Sequence, residues 1–242
     1  VIFKNKFQMI VAIIPARAGS KRIPNKNIKK FKGYPIISWS IKAAIKSKLF
    51  DRIIVSTDSK VIAKIAMKHK AEVPFIRPKK ISNDHASTVA VIKHNIQWLK
   101  SNNLNPKFVC CIYPTAAFLD YKDLILGYKK IKKMKYDYVF SAGKYSSSVM
   151  RSFKRLTRQN GLKMLFPKYY NRRTQDINST YHDAGQFYWG RVDSWLKNKK
   201  IFSLKSEIVE IPRERLHDID TKNDWNYAEK TWSLKNKFHE NK

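Results

Sequence analysis

The sequence MIVAIIPARAGSKRIPNKN at residues 9–27 joins an apolar run to a loop that contains a glycine, a hydroxyl group and several cations. The run from Met9 to Ile14 is typical of a short buried strand. A basic, glycine-containing loop after such a strand can direct backbone N–H groups and positive charge towards one anion. The sequence therefore predicts an anion-binding loop after the first strand, with the charge that a triphosphate requires.

The spacing of this loop excludes two familiar phosphate-binding motifs. It matches neither Gly-x-x-x-x-Gly-Lys-Ser/Thr nor Gly-x-Gly-x-x-Gly, so a kinase-like or dinucleotide-binding protein is disfavoured. The segment from Pro15 to Pro35 is also far longer than the usual connection of about two to six residues between a strand and a helix. Because ligands of open α/β sheets lie beyond the carboxyl ends of the strands, we expect a nucleotide to bind here.

The rest of the chain alternates strand-like runs with segments of helical period. This pattern predicts one α/β domain over residues 1–242, with a Rossmann-like, mostly parallel sheet flanked by helices. Strands are predicted at Ile10–Ile14, Arg52–Ser56, Val73–Ile76, Phe108–Tyr113, Tyr136–Ser141, Gln186–Trp189 and Ile208–Ile211. Apolar helix faces are predicted from Ile37, Ile41, Ala44 and Ile45, from Ile62, Ile65 and Ala66, from Val89, Ile92, Ile96 and Leu99, and from Leu124, Tyr128 and Ile131.

Residues 143–181 interrupt this alternation. They are rich in Ser, Arg, Lys and Tyr and contain a turn signal at Gln159–Gly161. We interpret the segment as an inserted arm that carries a hairpin. Its expected uses are contact between two subunits and cover for a binding site.

The charge of the chain is strongly positive. The 50 Lys and Arg against 18 Asp and Glu give a formal net charge of +32, which raises the hypothesis of a nucleic-acid-binding protein. The basic residues are dispersed rather than gathered in one stripe, which favours a solvated surface and an anionic small substrate instead.

The cysteines and the apolar runs indicate the compartment. Cys110 and Cys111 are adjacent in a predicted strand, so we expect free thiols on opposite faces of the sheet in a reducing cytoplasm. No apolar run reaches the roughly 20 residues that span a bilayer. Residues 1–8 lack the pattern of a signal peptide, and Met9 is a candidate for the natural start.

Two acidic residues near the C-terminus are candidate metal ligands. In an extended segment, Asp218 and Asp220 lie on one face and Ile219 lies on the other, towards the core. Two such carboxylates with a substrate phosphate suit Mg²⁺. The alternative is a surface turn in which Asp220 and Thr221 cap the helix that follows.

The cations of the loop and the residues after the next strands also have alternative interpretations. A lysine-rich chain produces basic surface loops without function, but Arg17, Lys21, Arg22 and Lys26 are concentrated directly after a buried strand. Two further candidates, Asp58 and Arg77, are expected at the rim of the same site. For Asp58, capping of the helix over 60–69 is an equally good alternative.

As an ordered set, these segments resemble the acylneuraminate (CMP-sialic acid synthetase) cytidylyltransferase family over nearly the whole chain. The resemblance rests on PARAGSKRIPNKN at residues 15–27, DRIIVSTD at 51–58, Arg77–Pro78 followed by Ser82 and Asp84, the Pro114–Thr115 turn and DIDT at 218–221. It implies a fold of the nucleotide-diphospho-sugar transferase type, a homodimer, and transfer of CMP from CTP to the anomeric hydroxyl of a nine-carbon α-keto sugar acid.

The resemblance also implies roles for individual residues. The expected CTP-binding residues are Arg17, Gly19, Ser20, Lys21, Lys26, Asn27, Arg77, Ser82 and Ser87. The expected catalytic residues are Arg17, Lys21, Asp218 and Asp220, of which Asp218 and Asp220 would hold Mg²⁺. The expected sugar-binding residues are Tyr113, Thr115, Arg151, Arg173, His182, Asp183, Gln186 and Phe187, with Arg173 reaching the sugar of the neighbouring subunit. For His182, a structural histidine is the alternative.

Two departures from sialic acid synthetases indicate the sugar. This chain has YPTAAFL at residues 113–119 in place of QPTSPLR, and HDAGQFYWG at 182–190 in place of a segment of the NGAIY type. Both resemble the branch that uses pseudaminic acid, because a more apolar lining suits a deoxygenated sugar. Sialic and legionaminic acid are the alternatives within the family, whose products decorate flagellin or capsule.

Overall fold

The computed structural model describes residues 8–156 and 161–240, with side chains described up to residue 233. Within these residues, six strands form one sheet in the order β10-β6-β9-β5-β1-β4, and two further pairs form small hairpins. The strands are β1 (Ile10–Pro15), β2 (Lys30–Phe31), β3 (Tyr34–Pro35), β4 (Arg52–Ser56), β5 (Phe108–Ile112), β6 (Tyr138–Lys144), β7 (Phe153–Leu156), β8 (Gly161–Met164), β9 (Tyr181–Arg191) and β10 (Ser206–Glu210). The α-helices are α1 (Ile36–Ser47), α2 (Lys60–Lys68), α3 (Thr88–Ser101), α4 (Tyr121–Ile131), α5 (Val192–Leu196) and α6 (Lys222–Glu240).

The main sheet is mostly parallel, as predicted. Strand β1 lies in the centre of its half of the sheet and pairs in parallel with both β4 and β5. Only β9 runs antiparallel to its neighbours β5 and β6. The strand predicted at Val73–Ile76 is wrong: this segment makes one isolated bridge, between Ile76 and Thr57, and the residue before it, Glu72, makes another with Ile54. Since β1, β4 and β5 end at the same edge, their following loops meet there.

The helices cover both faces of the sheet with the predicted apolar positions. In α1, Ile37, Ile41 and Ala44 are buried, but Ile45 is 40% exposed and was wrongly assigned to the same face. Ile45 follows Ile41 by four residues and so continues the helical period. It lies in the last turn of α1, however, where the neighbouring structure no longer covers the helix.

Two large clusters of apolar side chains lie on opposite faces of the sheet, and the two cysteines separate between them. Cys110 belongs to the cluster under α1, α2 and α4, and Cys111 to the cluster under α3 and α5. Both thiols are free and buried. The predicted placement on opposite faces is therefore confirmed.

A third, smaller cluster joins segments that are far apart in the sequence. It contains Ile23 of the basic loop, Phe118 of the turn after β5, Ile219 and Trp225. Phe31 packs edge to face against both Phe118 and Trp225, at ring-centre distances of 6.1 and 5.6 Å. This cluster fixes the loop, the turn and the segment of the two aspartates relative to one another.

Residues 143–181, which interrupt the predicted alternation of strands and helices, form an arm that carries the β7–β8 hairpin. In this hairpin Phe153 lies opposite Met164 and Leu156 lies opposite Gly161. Most of the predicted turn at Gln159–Gly161 lies outside the described residues. The hairpin and the chain after it expose large apolar side chains, including Phe153 (62%), Leu162 (65%) and Tyr170 (72%). Among the described residues, no helix has the length and apolar character needed to cross a membrane.

Candidate functional site

A cavity of about 460 Å³ opens at the carboxyl ends of β1 and β5. Its volume is within the range of about 300–1,000 Å³ that ligand pockets occupy. One wall is the basic loop, the second is the segment from Arg77 to the start of α3, and the third is the turn after β5. The lining residues are Pro15, Arg17, Ser20, Lys21, Arg22, Lys26, Asn27, Arg77, Ile81, Asn83, Asp84, Ala86, Thr88, Val91, Tyr113, Pro114 and Thr115.

The basic loop is held in place by hydrogen bonds to its backbone. The buried amide of Asn27 donates to the carbonyl oxygen of Arg17 at 2.9 Å. The carboxylate of Asp58 accepts from the backbone N–H of Ala18, also at 2.9 Å. Asp58 therefore supports the loop, and the alternative that it caps α2 is wrong, because the hydroxyl of Ser59 accepts from the N–H of Ile62 in that role.

Arg77 is the buried cation of the site, with only 3% of its surface exposed. Its backbone N–H donates to the carbonyl of Thr57 at 2.7 Å, and its Nε donates to the hydroxyl of Ser82 at 3.0 Å. Burial lowers the pKa of Arg77, an effect that the nearby Asp58 carboxylate opposes. A guanidinium group so held is already desolvated, which strengthens its attraction for an anion in the cavity.

Three of the expected CTP-binding residues do not line the cavity. Ser82 holds Arg77 instead, and Ser87 is the N-cap of α3, where its hydroxyl accepts from the N–H of Ala90 at 3.2 Å. Gly19 lies on the exposed loop with a negative φ, and a Cβ there would meet only Arg17, at 3.7 Å. The loop backbone therefore does not depend on glycine at this position.

Asp84, which was noted only as part of a motif, lies inside the cavity against the loop. Its carboxylate is 2.5 Å from the guanidinium of Arg17 and 2.7 Å from the ammonium of Lys21. The hydrogen bonds from Lys21 and Arg17 lower the pKa of Asp84 to about 2. The signal for this residue was present in the sequence, because a carboxylate is rare in this chain and Asp84 follows directly after the segment of Arg77.

The other two cations of the loop pair with the C-terminal aspartates. Asp220 accepts from Arg22 at 2.8 Å and from Lys26 at 3.2 Å, and Lys26 also donates to the carbonyl of Ile219 at 2.8 Å. The side chain of Ile219 is buried between two more exposed aspartates, as the period of an extended segment predicts. Asp84 and Asp220 thus bind all four cations of the loop.

Asp218 differs from Asp220 in its charge environment. Among the described residues no ion pair reaches Asp218. Desolvation by the surrounding protein raises the pKa of Asp218, and the nearby Asp220 raises it further. The carboxylate is therefore ready to accept a cation, since a bound cation would relieve this repulsion.

The alternative of a helix cap is partly right for this segment. Thr221, not Asp220, caps α6: its hydroxyl accepts from the N–H of Asp224 at 3.2 Å. In return, Asp224 accepts from the N–H of Thr221 at 2.7 Å. Asp218 and Asp220 are left to face the loop.

The donor set fits Mg²⁺ only if a substrate contributes to it. The described part of the chain contains no cluster of three or more His, Cys, Asp or Glu residues that could hold a metal ion by themselves. Magnesium is usually held by one or two carboxylates together with phosphates and water. Asp218 and Asp220, next to two loop cations that line the cavity, supply the carboxylates of that combination.

The expected sugar-binding residues divide into two groups. Tyr113 and Thr115 line the cavity. The hydroxyl of Tyr113 lies 3.1 Å from that of Thr88, and its ring lies 5.3 Å from the ring of Tyr188, whose hydroxyl donates to Asp183. Burial raises the pKa of Tyr113, so its hydroxyl is neutral at ordinary pH.

The other group lies along β9 and in the arm, away from the cavity. Gln186 is buried and its amide donates to the carbonyl of Arg215 at 2.7 Å. His182 packs on Tyr145 at 4.8 Å, and its Nδ1 lies 3.0 Å from the carbonyl of Asp183. Arg151 and Arg173 are exposed on the arm, where Arg151 donates to the carbonyl of Arg172.

Two expectations about the sugar side need correction. The side chain of Phe187 is fully buried in the core beneath α4, because it alternates with Gln186 along β9 and points to the opposite face. It therefore has no surface with which to contact a sugar. Residues 116–119 are also buried, so the apolar substitutions there fill the core and do not line the cavity.

A model of the family described as cytidylyltransferase matches residues 11–241. The pseudaminic acid cytidylyltransferase of Campylobacter jejuni is 40% identical over 218 residues, which cover 90% of this chain and 94% of that protein. The Helicobacter pylori pseudaminic acid cytidylyltransferase and UDP-2,4-diacetamido-2,4,6-trideoxy-beta-L-altropyranose hydrolase is 35% identical over 86% of this chain and 40% of that protein.

A solved structure shares the fold. The CMP:2-keto-3-deoxy-manno-octonic acid synthetase complexed with CTP superimposes with a TM-score of 0.69 and 15% identity, over 94% of this chain and 99% of that chain. At this identity the likeness concerns the fold alone, and it agrees with the predicted sheet flanked by helices.

Proposed function

This chain belongs to the cytidylyltransferase family and is a nucleotidyltransferase, and from that premise we propose that it transfers CMP from CTP to pseudaminic acid. The reaction forms a bond between the anomeric oxygen of the sugar acid and the α-phosphorus of CTP, and it releases pyrophosphate. Sialic and legionaminic acid remain the alternative sugars, because relatives that use them are about 30% identical to this chain. Family membership sets aside a nucleic-acid-binding protein without enzymatic chemistry.

The observation that carries this proposal is the pairing of the loop with carboxylates across the cavity. Arg17 and Lys21 contact Asp84, and Arg22 and Lys26 contact Asp220. Cations that pair with carboxylates will also attract phosphates, which carry more charge and more acceptor atoms. The buried Arg77 adds a fifth cation to the same cavity.

This arrangement suits transfer from a triphosphate. The anomeric hydroxyl is a poor nucleophile because it stands beside an electron-withdrawing carboxylate, so the enzyme must align it with the α-phosphorus. Negative charge develops on the departing pyrophosphate as the bond breaks. Arg17, Lys21 and Arg77 line the cavity, where they bind the triphosphate and stabilise that charge.

Asp218 and Asp220 are the residues that would hold Mg²⁺. A magnesium ion bound there supplies positive charge to the triphosphate and lowers the repulsion that the incoming hydroxyl meets. Arg22 and Lys26 contact Asp220, so their charges lie beside the two carboxylates that would hold the metal.

The sugar acid is expected beside Tyr113 and Thr115, on the side of the cavity that faces β9. Asp183, His182 and Gln186 lie further along this strand and are the candidates for contacts to the N-acyl groups and hydroxyls of the sugar. Arg151 and Arg173 are the candidates for its carboxylate, because the guanidinium fork matches a carboxylate in geometry and charge. Both are carried by the arm, from where they serve a site that a second subunit helps to complete.

The arm is the proposed dimer contact. Phe153, Leu162, Leu165 and Tyr170 are all at least half exposed on this small hairpin and the chain that follows it. A two-stranded hairpin is marginally stable when it stands alone, and a contiguous exposed apolar surface marks an interaction site. We place this homodimer in the cytoplasm, where CTP is available and the thiols of Cys110 and Cys111 stay reduced.

Release of pyrophosphate from CTP tests the proposal. The purified protein is incubated with CTP and, in separate reactions, pseudaminic, legionaminic and sialic acid, with Mg²⁺ and with a chelator. We expect release with pseudaminic acid and Mg²⁺, with the CMP-sugar confirmed by mass spectrometry. Release with another of these acids alone would reassign the sugar, and no release with any of them would refute the proposed reaction.

A further inference from the structure

Arg215 is a buried cation three residues before Asp218, outside the cavity. Its guanidinium group binds the carboxylate of Asp123 on α4 through two hydrogen bonds, one from Nη1 and one from Nη2 at 3.2 Å. Both side chains are only 11% exposed. A charge buried to this degree is costly unless it is paired, so each member of this pair requires the other.

The environment of this pair keeps it ionised. Burial alone would lower the pKa of Arg215, but the carboxylate of Asp123 outweighs this effect, with smaller contributions from Asp120 and Glu214, and the pKa is raised. Three acidic groups, led by Asp123, thus favour the charged form of Arg215.

The backbone of Arg215 and the residues that follow are held from other elements. The amide of Gln186 on β9 donates to the carbonyl oxygen of Arg215 at 2.7 Å. The ring of His217 stacks on Phe118 at 4.1 Å and 26°. Leu216 packs against Gly143 so closely that a Cβ there would collide with it.

These contacts determine which way Asp218 and Asp220 face. After the 3₁₀ turn Arg213–Arg215, Ile219 is buried between two more exposed aspartates, so a slip of one residue would turn both carboxylates away from the loop and bring Ile219 out of the core. The segment belongs to no strand of the sheet, and no ladder of backbone hydrogen bonds sets its register. The ion pair with α4 is one of the contacts that fix the chain just before Asp218, and the one made by two charged groups.

We propose that Asp123 is a positioning residue for the carboxylates of Asp218 and Asp220, and that it acts through Arg215. The inference rests on the proposed function for the role of those carboxylates. Asp123 does not line the cavity, and its effect is to keep the pair of aspartates aimed at the loop.

The test compares Asp123→Asn with Asp120→Asn. Both changes remove one negative charge from the start of α4. Asp120 is the N-cap of that helix, and asparagine caps a helix as well as aspartate does. The probe is Mn²⁺, titrated into protein with CTP and followed by electron paramagnetic resonance, so that binding is measured without turnover.

We expect Asp123→Asn to weaken Mn²⁺ binding in the presence of CTP by about tenfold and Asp120→Asn to leave it within twofold of wild type. With an active enzyme, the Mg²⁺ concentration for half-maximal rate should rise in parallel while the KM for the sugar acid stays unchanged. An Asp123→Asn protein with wild-type Mn²⁺ affinity would overturn the proposal, as would a fall in kcat without any change in metal dependence.

Two further measurements separate the possible causes of failure. If Asp123→Asn does not fold, Arg215→Lys keeps the charge but loses the two-pronged contact, and it should show the same weakening of Mn²⁺ binding with a folded circular dichroism spectrum. If wild-type protein binds Mn²⁺ and CTP but transfers CMP to none of the sugar acids, the proposed function fails. The positioning inference is then still decided by the binding titrations.

Discussion

The carboxylate of Asp84 lies 2.5 Å from the guanidinium of Arg17, inside the cavity and at a position where a nucleotide phosphate would also be attracted. Lys21 contacts the other oxygen of the same carboxylate. Asp84 therefore neutralises charge on two residues that are expected to bind the triphosphate. Entry of CTP must exchange these ion pairs for contacts to phosphate.

This relationship predicts that Asp84→Asn binds CTP more tightly than wild type. Partly exposed ion pairs are individually weak, so relief of these two should strengthen CTP binding by only about a few fold. The gain should shrink as salt is added, because screening weakens exposed pairs. Isothermal titration calorimetry with CTP at low and high ionic strength measures both effects.

Asp193→Asn is the matched control for Asp84. Asp193 also pairs with an arginine, Arg191, at 2.7 Å, but it lies outside the cavity. Replacing Asp193 by Asn changes the net charge of the protein by the same amount as replacing Asp84 by Asn. Tighter CTP binding by both variants would show an effect of overall charge only. Weaker CTP binding by Asp84→Asn would show that Asp84 orients the cations and does not compete with phosphate.

A second prediction concerns Asp218. Asp218→Ala removes the carboxylate that has no cationic partner among the described residues and that is the stronger candidate for a metal ligand. We expect metal-dependent pyrophosphate release to fall at least about a hundredfold, because loss of one group that stabilises developing charge has effects of this size. Initial rates over a range of Mg²⁺ concentrations provide the measurement.

Glu214→Gln is the control for Asp218, since Glu214 is exposed on the same segment and carries the same charge. Its rate and metal dependence should match those of wild type. Near-wild-type turnover by Asp218→Ala, with a melting temperature that shows it is folded, would remove the carboxylate pair from the mechanism.

The periodicity of the sequence predicts most of the fold, and each wrong prediction has a local cause. Phe108–Ile112 is an interior strand with uninterrupted apolar content, and such strands are recognised easily. Arg52–Ser56 is an edge strand, but its apolar residues 53–55 are bounded by polar ones, which marks it as a short strand. Val73–Ile76 is also apolar, but it contains Pro74, which has no N–H to donate to a ladder, and it lies at the margin of the sheet beside β4. Apolar content alone cannot tell an edge segment with isolated bridges from a strand.

The candidate site also has a part that the local sequence predicts and a part that it does not. The basic loop and the pair Asp218 and Asp220 were found because composition and period two are local properties. The contacts that Asp84 and Arg215 make depend on segments that only the fold brings together. Arg215 and its partner Asp123, for example, are 92 residues apart in the sequence. Phe187 was misplaced because alternation along β9 gives two faces without saying which one faces the substrate.

A third prediction tests the arm as a dimer contact. Leu162→Asp places a charge on an exposed apolar position of the β7–β8 hairpin, and burial of that charge between subunits would be costly. We expect the variant to be monomeric at micromolar concentration and to transfer CMP more slowly if the arm completes a neighbouring site. Light scattering after gel filtration measures the mass in solution.

Leu204→Asp makes the same substitution at a leucine that is fully exposed and lies outside the arm. It should leave the mass in solution unchanged. A wild-type protein that is already monomeric, or a Leu162→Asp variant that remains dimeric, would contradict the assignment of the arm.

The last prediction concerns His217, which stacks on Phe118 beside the candidate metal ligands. Burial lowers the pKa of His217 below its ordinary value. The unfolded chain therefore takes up a proton at a higher pH than the folded protein does. Stability from this residue is fully present above the unfolded pKa of about 6.5, and it is lost as the pH falls from there towards the folded pKa.

We expect the free energy of unfolding in urea to decrease between pH 7.5 and 5.5 more steeply for wild type than for His217→Gln. The pH dependence of stability that remains in His217→Gln includes a contribution from His94, whose pKa is also lowered by burial and by Arg77. The difference between the two slopes therefore isolates His217. Titration of the imidazole signals by NMR gives its pKa directly, and a value at or above 6.5 would contradict the stacked, desolvated ring on which this prediction depends.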